Sequence, residues 1–214
     1  MFFLMIVGII YAEQGQRRIP IQFAKRVRGR KVMGGQSTYI PLKVNSAGVI
    51  PVIFATSILF FPALVATSLP QDNSVTAAIR NWIDVNLANS QGTTWFYIFF
   101  LGILIIFFTY FYTTIQFDPV RQSDMIRRQG GFIPGVRPGI STTNYLSHIL
   151  NRITLPGSIF LASVAVLPSI ASAIWDIPLG FSGISILITV GVALETMKQI
   201  ESQLSMRNYE GFID

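Results

Sequence analysis

The stretch TWFYIFFLGILIIFFTYFYTTIQ, residues 94–116, carries no charged side chain and is apolar along almost its whole length. About 20 such residues in a helix cross the roughly 30 Å hydrocarbon layer of a membrane. Residues 44–69, 153–175 and 178–194 form similar runs, and the helix of the last is expected to reach about 200. Each of the four stretches is therefore predicted to be a transmembrane helix.

The N-terminal residues 1–11, MFFLMIVGIIY, are apolar but long enough for only about half a bilayer. A basic stretch follows them, so we expect the chain to begin inside a transmembrane helix and to need a further piece to work. The predicted fold is an all-α integral membrane protein with about four and a half transmembrane helices. Only 12% of the residues are charged, about half the share usual in soluble domains.

The loops between the runs alternate in charge. Loop 12–43 holds eight basic residues and one acid, and loop 117–152 holds five basic residues and two acids, whereas loops 70–93 and 172–180 are nearly uncharged. Lys and Arg collect on cytoplasmic loops, so the two basic loops and the tail 201–214 are predicted to be cytoplasmic. This charge has two interpretations: orientation alone, or a dock for nucleic acid, an acidic protein or anionic lipid.

Alternation of apolar residues predicts a β-hairpin in the first basic loop. Ile19, Ile21 and Phe23 alternate with other residues, and a second alternating set lies at 38–42, across a basic tip at 25–36. Pro20 and Pro41 restrict these segments to edge strands.

The second basic loop is predicted to begin with a short helix. Asp118 before Pro119 is a helix-start signal, and the helix should reach about Gln129. The following GGFIPGVRPG, residues 130–139, predicts a shaped loop that is neither helix nor strand and presents Arg137. The next helix should start near Ser141 or Thr142.

Two further features concern the outer loop and the first long run. Val75, Ile79, Trp82 and Ile83 have helical spacing, which predicts an amphipathic helix on the outer interface with Trp82 and Trp95 as anchors. Pro51 and Pro62 are expected to kink the helix at 44–69.

Several kinds of chemistry are missing from the sequence. There is no cysteine, one histidine and no cluster of acids, so we expect no metal site, no cofactor and no catalytic residues. His148 is interpreted as a surface or interfacial residue. The spans carry charges only near their ends, as with Glu195 and Lys198 at the cytoplasmic end of 178–200, which argues against a proton-coupled or ion-coupled carrier. The chain is not expected to be an enzyme.

Four ordered motifs resemble the C-terminal half of the SecY family. They are EQGQRRIPIQFAKR (13–26), QSTYIPLKVNSAGVIPVIFATS (36–57), GGFIPGVRPG (130–139) and FSGISILI (181–188). The resemblance covers the end of the sixth transmembrane helix through the tenth, and the tail. It implies the pore subunit of the bacterial Sec translocase in the plasma membrane, moving unfolded preproteins across that membrane and membrane proteins into it.

The resemblance also implies that the basic loops dock the ribosome, through ribosomal RNA phosphates, and the motor ATPase SecA. Arg137 is implied to couple the channel to SecA. The docking residues implied are all basic: Arg17, Arg18, Lys25, Arg26, Arg28, Arg30, Lys31, Arg127, Arg128 and Arg137.

Within the membrane, the resemblance assigns Ile53 and Ile188 to a hydrophobic pore ring, and Thr56 and Ser57 to the lateral gate. The implied partners are the N-terminal half of SecY, SecE, SecG, signal sequences, preproteins and membrane lipid. Two alternatives remain from the residues alone: half of a small-solute transporter, or a membrane-anchored docking protein that transports nothing.

Overall fold

The structure, a computed structural model, describes residues 2–23, 26–28, 31–33, 37–68, 74–87, 94–175 and 183–210. The helices are α1 (Phe2–Gln14), α2 (Ile50–Ser68), α3 (Ser74–Asn86), α4 (Trp95–Gln116), α5 (Pro119–Arg128), α6 (Ile140–Trp175) and α7 (Gly183–Glu210). The strands are β1 (Gln16–Phe23), β2 (Arg26–Arg28), β3 (Lys31–Met33), β4 (Ser37–Lys43) and β5 (Gly131–Phe132).

Four described helices, α2, α4, α6 and α7, are long and apolar enough to cross a membrane, and α1 is a shorter apolar helix. The predicted helical membrane fold with a hairpin is thus confirmed. The helices share one apolar cluster, in which Val52 and Ala55 of α2 meet Leu101 and Ile105 of α4. The buried face of α2 also contains Ala63 and Ala66. Such small residues allow close helix approach where lipid provides no hydrophobic driving force.

A second apolar cluster holds the two basic loops together. Strands β4, β1 and β5 form an antiparallel sheet in that order, and α5 and the first turns of α6 pack against it. Its buried residues come from β1, β4, α5, α6 and the position just after β5: Ile19, Ile21, Leu42, Ile126, Ile133, Leu146 and Ile149. We call this assembly of β1, β4, α5 and residues 131–153, which include β5 and the first turns of α6, the loop unit. Because α6 runs through both clusters, it joins the loop unit to the membrane helices.

Strand β5 corrects the prediction that 130–139 contains no strand. Phe132 pairs with Gln22 and Gly131 with Phe23, so β1 lies in the centre of the sheet and not at an edge. Pro20 is tolerated in the central strand because the short strand β5 pairs only with Gln22 and Phe23, which follow the proline. Gly131 fits this place because a Cβ there would lie 3.0 Å from Ile21 Cγ2 and 3.2 Å from Ile126 Cγ2.

Helix ends also differ from the sequence prediction. Helix α2 begins at Ile50, not at 44, and Pro51 lies in its first turn, where no backbone N–H is needed. Pro51 therefore starts the helix instead of kinking it, and Pro62 lies inside it. At the other end of the chain, α7 continues to Glu210, so residues 201–210, predicted to be a tail, are helical.

The outer-loop helix agrees with its periodicity. Helix α3 spans Ser74–Asn86, and the ring of Trp82 meets Phe96 of α4 edge-on, with centroids 5.6 Å apart. An ion pair between Arg80 and Asp84, 3.7 Å apart, lies on its surface. The position of this helix at a membrane interface stays a prediction.

Candidate functional site

The loop unit presents basic side chains from a strand and a helix. Arg17 and Arg18 lie on β1, next to Leu42 and Pro41 of β4 in the register of the sheet, and both are exposed. Arg127 lies in the last turn of α5 and is exposed as well. The same sheet and helix that bury the second apolar cluster therefore hold these cations on one folded body.

Helix α5 is built to end in positive charge. The Asp118 side chain caps its N-terminus by accepting from the amide of Val120 at 2.9 Å, and Arg127 and Arg128 occupy the last turn. An acid at the N-terminus and cations in the last turn both interact favourably with the helix dipole, so they stabilise α5. Arg121 pairs with Asp118 at 3.3 Å, whereas in the described part of the chain no carboxylate pairs with Arg127 or Arg128. The last two arginines are thus available to an anionic partner.

Arg137 lies on a loop whose backbone is held on both sides. The Val136 amide donates to the Ile133 carbonyl at 3.0 Å, and Gly135 has φ +82°, which together form a type II turn with Pro134 at its second position. On the other side, the Thr142 hydroxyl donates to the Arg137 carbonyl at 3.0 Å. The exposed Arg137 side chain therefore projects from a fixed backbone.

The loop after Arg137 is tied to α5 too. Gly139 has φ +112°, and its carbonyl accepts from the buried Ser123 hydroxyl at 3.1 Å. The Ser123 bond connects the arginine-bearing loop to the helix that carries Arg127 and Arg128. Sequence reasoning missed Ser123, because a serine within a polar helix carries no signal of such a contact.

Five predicted docking residues have no described side chain. Lys25 and Arg30 lie outside the described residues. Arg26, Arg28 and Lys31 are described as backbone only: they lie on β2 and β3, where Arg28 pairs with Lys31. The predicted basic tip therefore contains a second small hairpin.

Ile53 lies on α2 and Ile188 on α7, and the two segments come into contact at one described point near them. A Cβ on Gly191 of α7 would lie 3.4 Å from Val49 Cγ1 at the start of α2, so the two helices meet there. Helix α2 leaves the loop unit while α7 approaches it. Ile53 and Ile188 are therefore about 6 Å and about 4.5 Å further from the loop unit than this contact, at 1.5 Å per residue. Ile53 is 42% exposed and Ile188 half-buried.

The hydroxyls of Thr56 and Ser57 are satisfied within α2. Thr56 Oγ1 donates to the carbonyls of Val52 at 3.0 Å and Ile53 at 2.9 Å, and Ser57 Oγ donates to the Ile53 carbonyl at 2.8 Å. Such bonds allow a hydroxyl to stand in an apolar environment. Ser57 is exposed and Thr56 half-buried, on the part of α2 that follows Ile53.

One polar contact joins distant parts of the chain and was not predicted. Asn45, before α2, donates from Nδ2 to Glu13 Oε1 at the end of α1, at 2.6 Å. Glu13 also borders a cavity of about 310 Å³ between α1, the segment before α2, and α7, together with Glu195 and Gln199. No spacing in the sequence relates these residues. Among the described residues no cluster of three potential metal ligands occurs.

A family model described as SecY matches residues 1–197. The chain belongs to the SecY family. The "Protein translocase subunit SecY" of Streptomyces scabiei is 52% identical over 98% of this chain and 47% of its own length. The protein of the same name from Mycobacterium bovis is 49% identical over 98% of this chain and 48% of its own.

Solved structures share the SecY fold. One, described as showing that the plug domain of SecY stabilises the closed state of the translocation channel, has a TM-score of 0.55, at 16% identity over 94% of this chain and 48% of that one. Another, described as the structure of a protein-conducting channel, has a TM-score of 0.52 at 15% identity. The chain spans about half the length of these relatives. Its family and its four candidate spans assign it to the plasma membrane.

Proposed function

We propose that this chain is the C-terminal half of the wall of a protein-conducting channel, which moves unfolded preproteins across, and membrane proteins into, the plasma membrane. Its SecY family membership supports this proposal over a small-solute carrier or a simple membrane-anchored dock. The structural observation that carries it is the contact between Val49, just before α2, and Gly191 of α7, from which Ile53 and Ile188 lie about 6 Å and about 4.5 Å along their chains at helical rise.

In this proposal Ile53 and Ile188 belong to the pore ring. Aliphatic side chains offer no hydrogen bonds to water or ions, so a ring of them resists leakage yet yields to a passing polypeptide. Ile53 is only partly covered within this chain, which supports a role facing other parts of the channel. Thr56 and Ser57 belong to the lateral gate, where their internally bonded hydroxyls tolerate contact with an apolar signal sequence and with lipid.

The loop unit is the cytoplasmic docking face. Arg17, Arg18, Arg127, Arg128 and Arg137 stand on one packed body, with the basic tip residues Lys25, Arg26, Arg28, Arg30 and Lys31 attached to β1 and β4. Arginine forks bind carboxylates of a protein partner, and basic residues bind RNA phosphates without reading sequence. SecA and the ribosome are the proposed partners.

The remaining partners complete the channel: the N-terminal half of SecY, SecE and SecG. Energy comes from SecA or the ribosome, so the chain itself acts as a passive wall and not as an enzyme. It uses no cofactor and no metal in this account.

Charge reversal at Arg137 tests the docking role. In a complete channel containing this chain, Arg137→Glu should weaken SecA binding by about 30-fold or more, because disrupting a desolvated charge pair costs about 2 kcal/mol or more. Transport into vesicles should be lost while membrane insertion of the variant stays normal. Arg152→Glu is the matched control: Arg152 is exposed in the loop unit on α6 but outside the Gly/Pro frame, so it should retain SecA binding and transport. Normal export by the Arg137 variant would refute the assignment.

A further inference from the structure

Residues 44–49, which we call the connector, form the covalent link from the loop unit to α2. They follow β4, which belongs to the docking face, and precede the helix that carries Ile53 and Thr56. A helix moves as a rigid rod over a few turns, so any shift of the connector relative to the rest of the molecule is passed directly to these two residues. The contacts that hold the connector therefore determine the position of Ile53 and Thr56 relative to the loop unit.

The backbone of the connector is clamped at Val44. The Val44 amide donates to the Gly15 carbonyl, just after α1, at 2.9 Å. On the other side, the Val44 carbonyl lies so close to α6 that a Cβ at Gly157 would be 2.6 Å from its oxygen. Real Cβ atoms are essentially never found so close, so only glycine fits at 157 in this arrangement.

The next residue makes the only described side-chain bond between the connector and α1. Asn45 is 7% exposed, and its Nδ2 donates to Glu13 Oε1 at 2.6 Å. Hydrogen bonds to a charged acceptor are the stronger class. The Asn45 Oδ1 atom is buried and has no partner within the described part of the chain.

This unpaired oxygen argues that Asn45 does more than fill space. A buried acceptor left without a donor destabilises a protein, and an apolar residue of the same shape removes that cost. Leucine has that shape. A residue needed only for packing would thus be replaceable by leucine, whereas a residue needed for its directed bond to Glu13 would not.

We propose that Glu13 and Asn45 are positioning residues for transport: their bond fixes where α2 begins relative to α1, so that partner binding at the loop unit is passed to Ile53 and Thr56. This inference rests on the proposed function. The two residues touch neither partner nor substrate; they act through α2. They couple docking to opening without contributing to docking itself.

Variants that separate a directed bond from packing test the proposal in a complete channel containing this chain. Asn45→Leu and Glu13→Ala remove the bond, whereas Glu13→Gln keeps an acceptor oxygen. Two controls alter neighbours that do not tie the connector to α1. Ser46→Ala removes a bond to the Lys43 carbonyl at 2.9 Å, and Gln14→Ala changes the exposed neighbour of Glu13.

At saturating SecA, transport by Asn45→Leu and Glu13→Ala should fall about tenfold, since losing a hydrogen bond to a charged group costs about 1.5 kcal/mol or more. SecA affinity should stay within about twofold, and the melting temperature of Asn45→Leu should change little, because removal of the unpaired Oδ1 offsets the loss of the bond to Glu13. Glu13→Gln and both controls should transport within about twofold of wild type. Wild-type rates in Asn45→Leu and Glu13→Ala, or a parallel loss of SecA affinity and melting temperature, would overturn the proposal.

A distance measurement distinguishes this inference from the proposed function. The chain has no cysteine, so spin labels at Ser37→Cys on β4 and Ser68→Cys on α2, both exposed, report the position of α2 relative to the loop unit. Glu13→Ala should broaden or shift the distance distribution and Gln14→Ala should leave it unchanged. An unchanged distribution in Glu13→Ala overturns the positioning role, whereas failure of the wild-type channel to transport overturns the proposed function.

Discussion

Truncation of Leu146 should loosen the loop unit without disturbing the membrane helices. Leu146 is 0% exposed and lies on α6 within the second apolar cluster, against residues of the sheet and α5. Leu146→Ala removes buried apolar volume and leaves a cavity, which costs about 3 kcal/mol. Leu155 lies further along the same helix and is 51% exposed. Leu155→Ala should cost little, because lipid replaces the lost contacts.

Hydrogen exchange of the purified channel measures this difference directly. Amides of β1 and α5 exchange through opening of the loop unit, so a cost of about 3 kcal/mol should lower their protection about 100-fold. Amides of α2 and α4 should keep their protection in both variants. The reasoning is refuted if Leu146→Ala leaves β1 and α5 unchanged, or if Leu155→Ala lowers their protection equally, because the sheet and α5 would then not share one core with α6.

Three further predictions concern single positions. Ile188→Asn should increase ion leakage through the resting channel. The control Ile159→Asn, at a residue of α6 that is 53% exposed, should not, and equal leakage in the two variants would contradict the ring. A photo-crosslinker at Thr56 should capture a signal sequence during transport and one at Thr67, near the far end of α2, should not; capture at Thr67 alone would contradict the gate. Gly135→Ala should weaken SecA binding by about 1 kcal/mol, measured by titration, because φ +82° disfavours a Cβ; unchanged affinity would contradict a fixed Arg137 loop.

Local signals in the sequence predicted much of the fold. Uncharged runs identified the spans because lipid excludes charge over a whole helix length. Asp118 and Pro119 identified the start of α5 because capping depends on adjacent residues. Alternation at Ile19, Ile21 and Phe23 identified β1 because one face of the strand is buried in the loop unit. Each of these signals is contained in one continuous segment of the chain.

Contacts between distant segments could not be predicted in this way. The bond from Asn45 to Glu13 joins residues 32 apart, and the pairing of β5 with β1 depends on Gly131 fitting between Ile21 and Ile126. The sequence predicts a kink at Pro51, because it does not show that α2 begins one residue earlier, at Ile50. The extension of α7 past 200 was missed because the stretch is polar, although its Leu, Met, Arg, Gln and Glu residues are good helix formers.

Crosslinking to an arrested polypeptide tests the channel proposal most directly. Photo-crosslinkers at Ile53 and Ile188, in a complete channel containing this chain, should both capture a polypeptide halted midway through transport. Ile103 of α4 is the control: it is 47% exposed against 42% for Ile53, but it lies away from the meeting of α2 and α7 and should capture lipid only. Capture of the polypeptide at Ile103, with none at Ile53 or Ile188, would contradict the account.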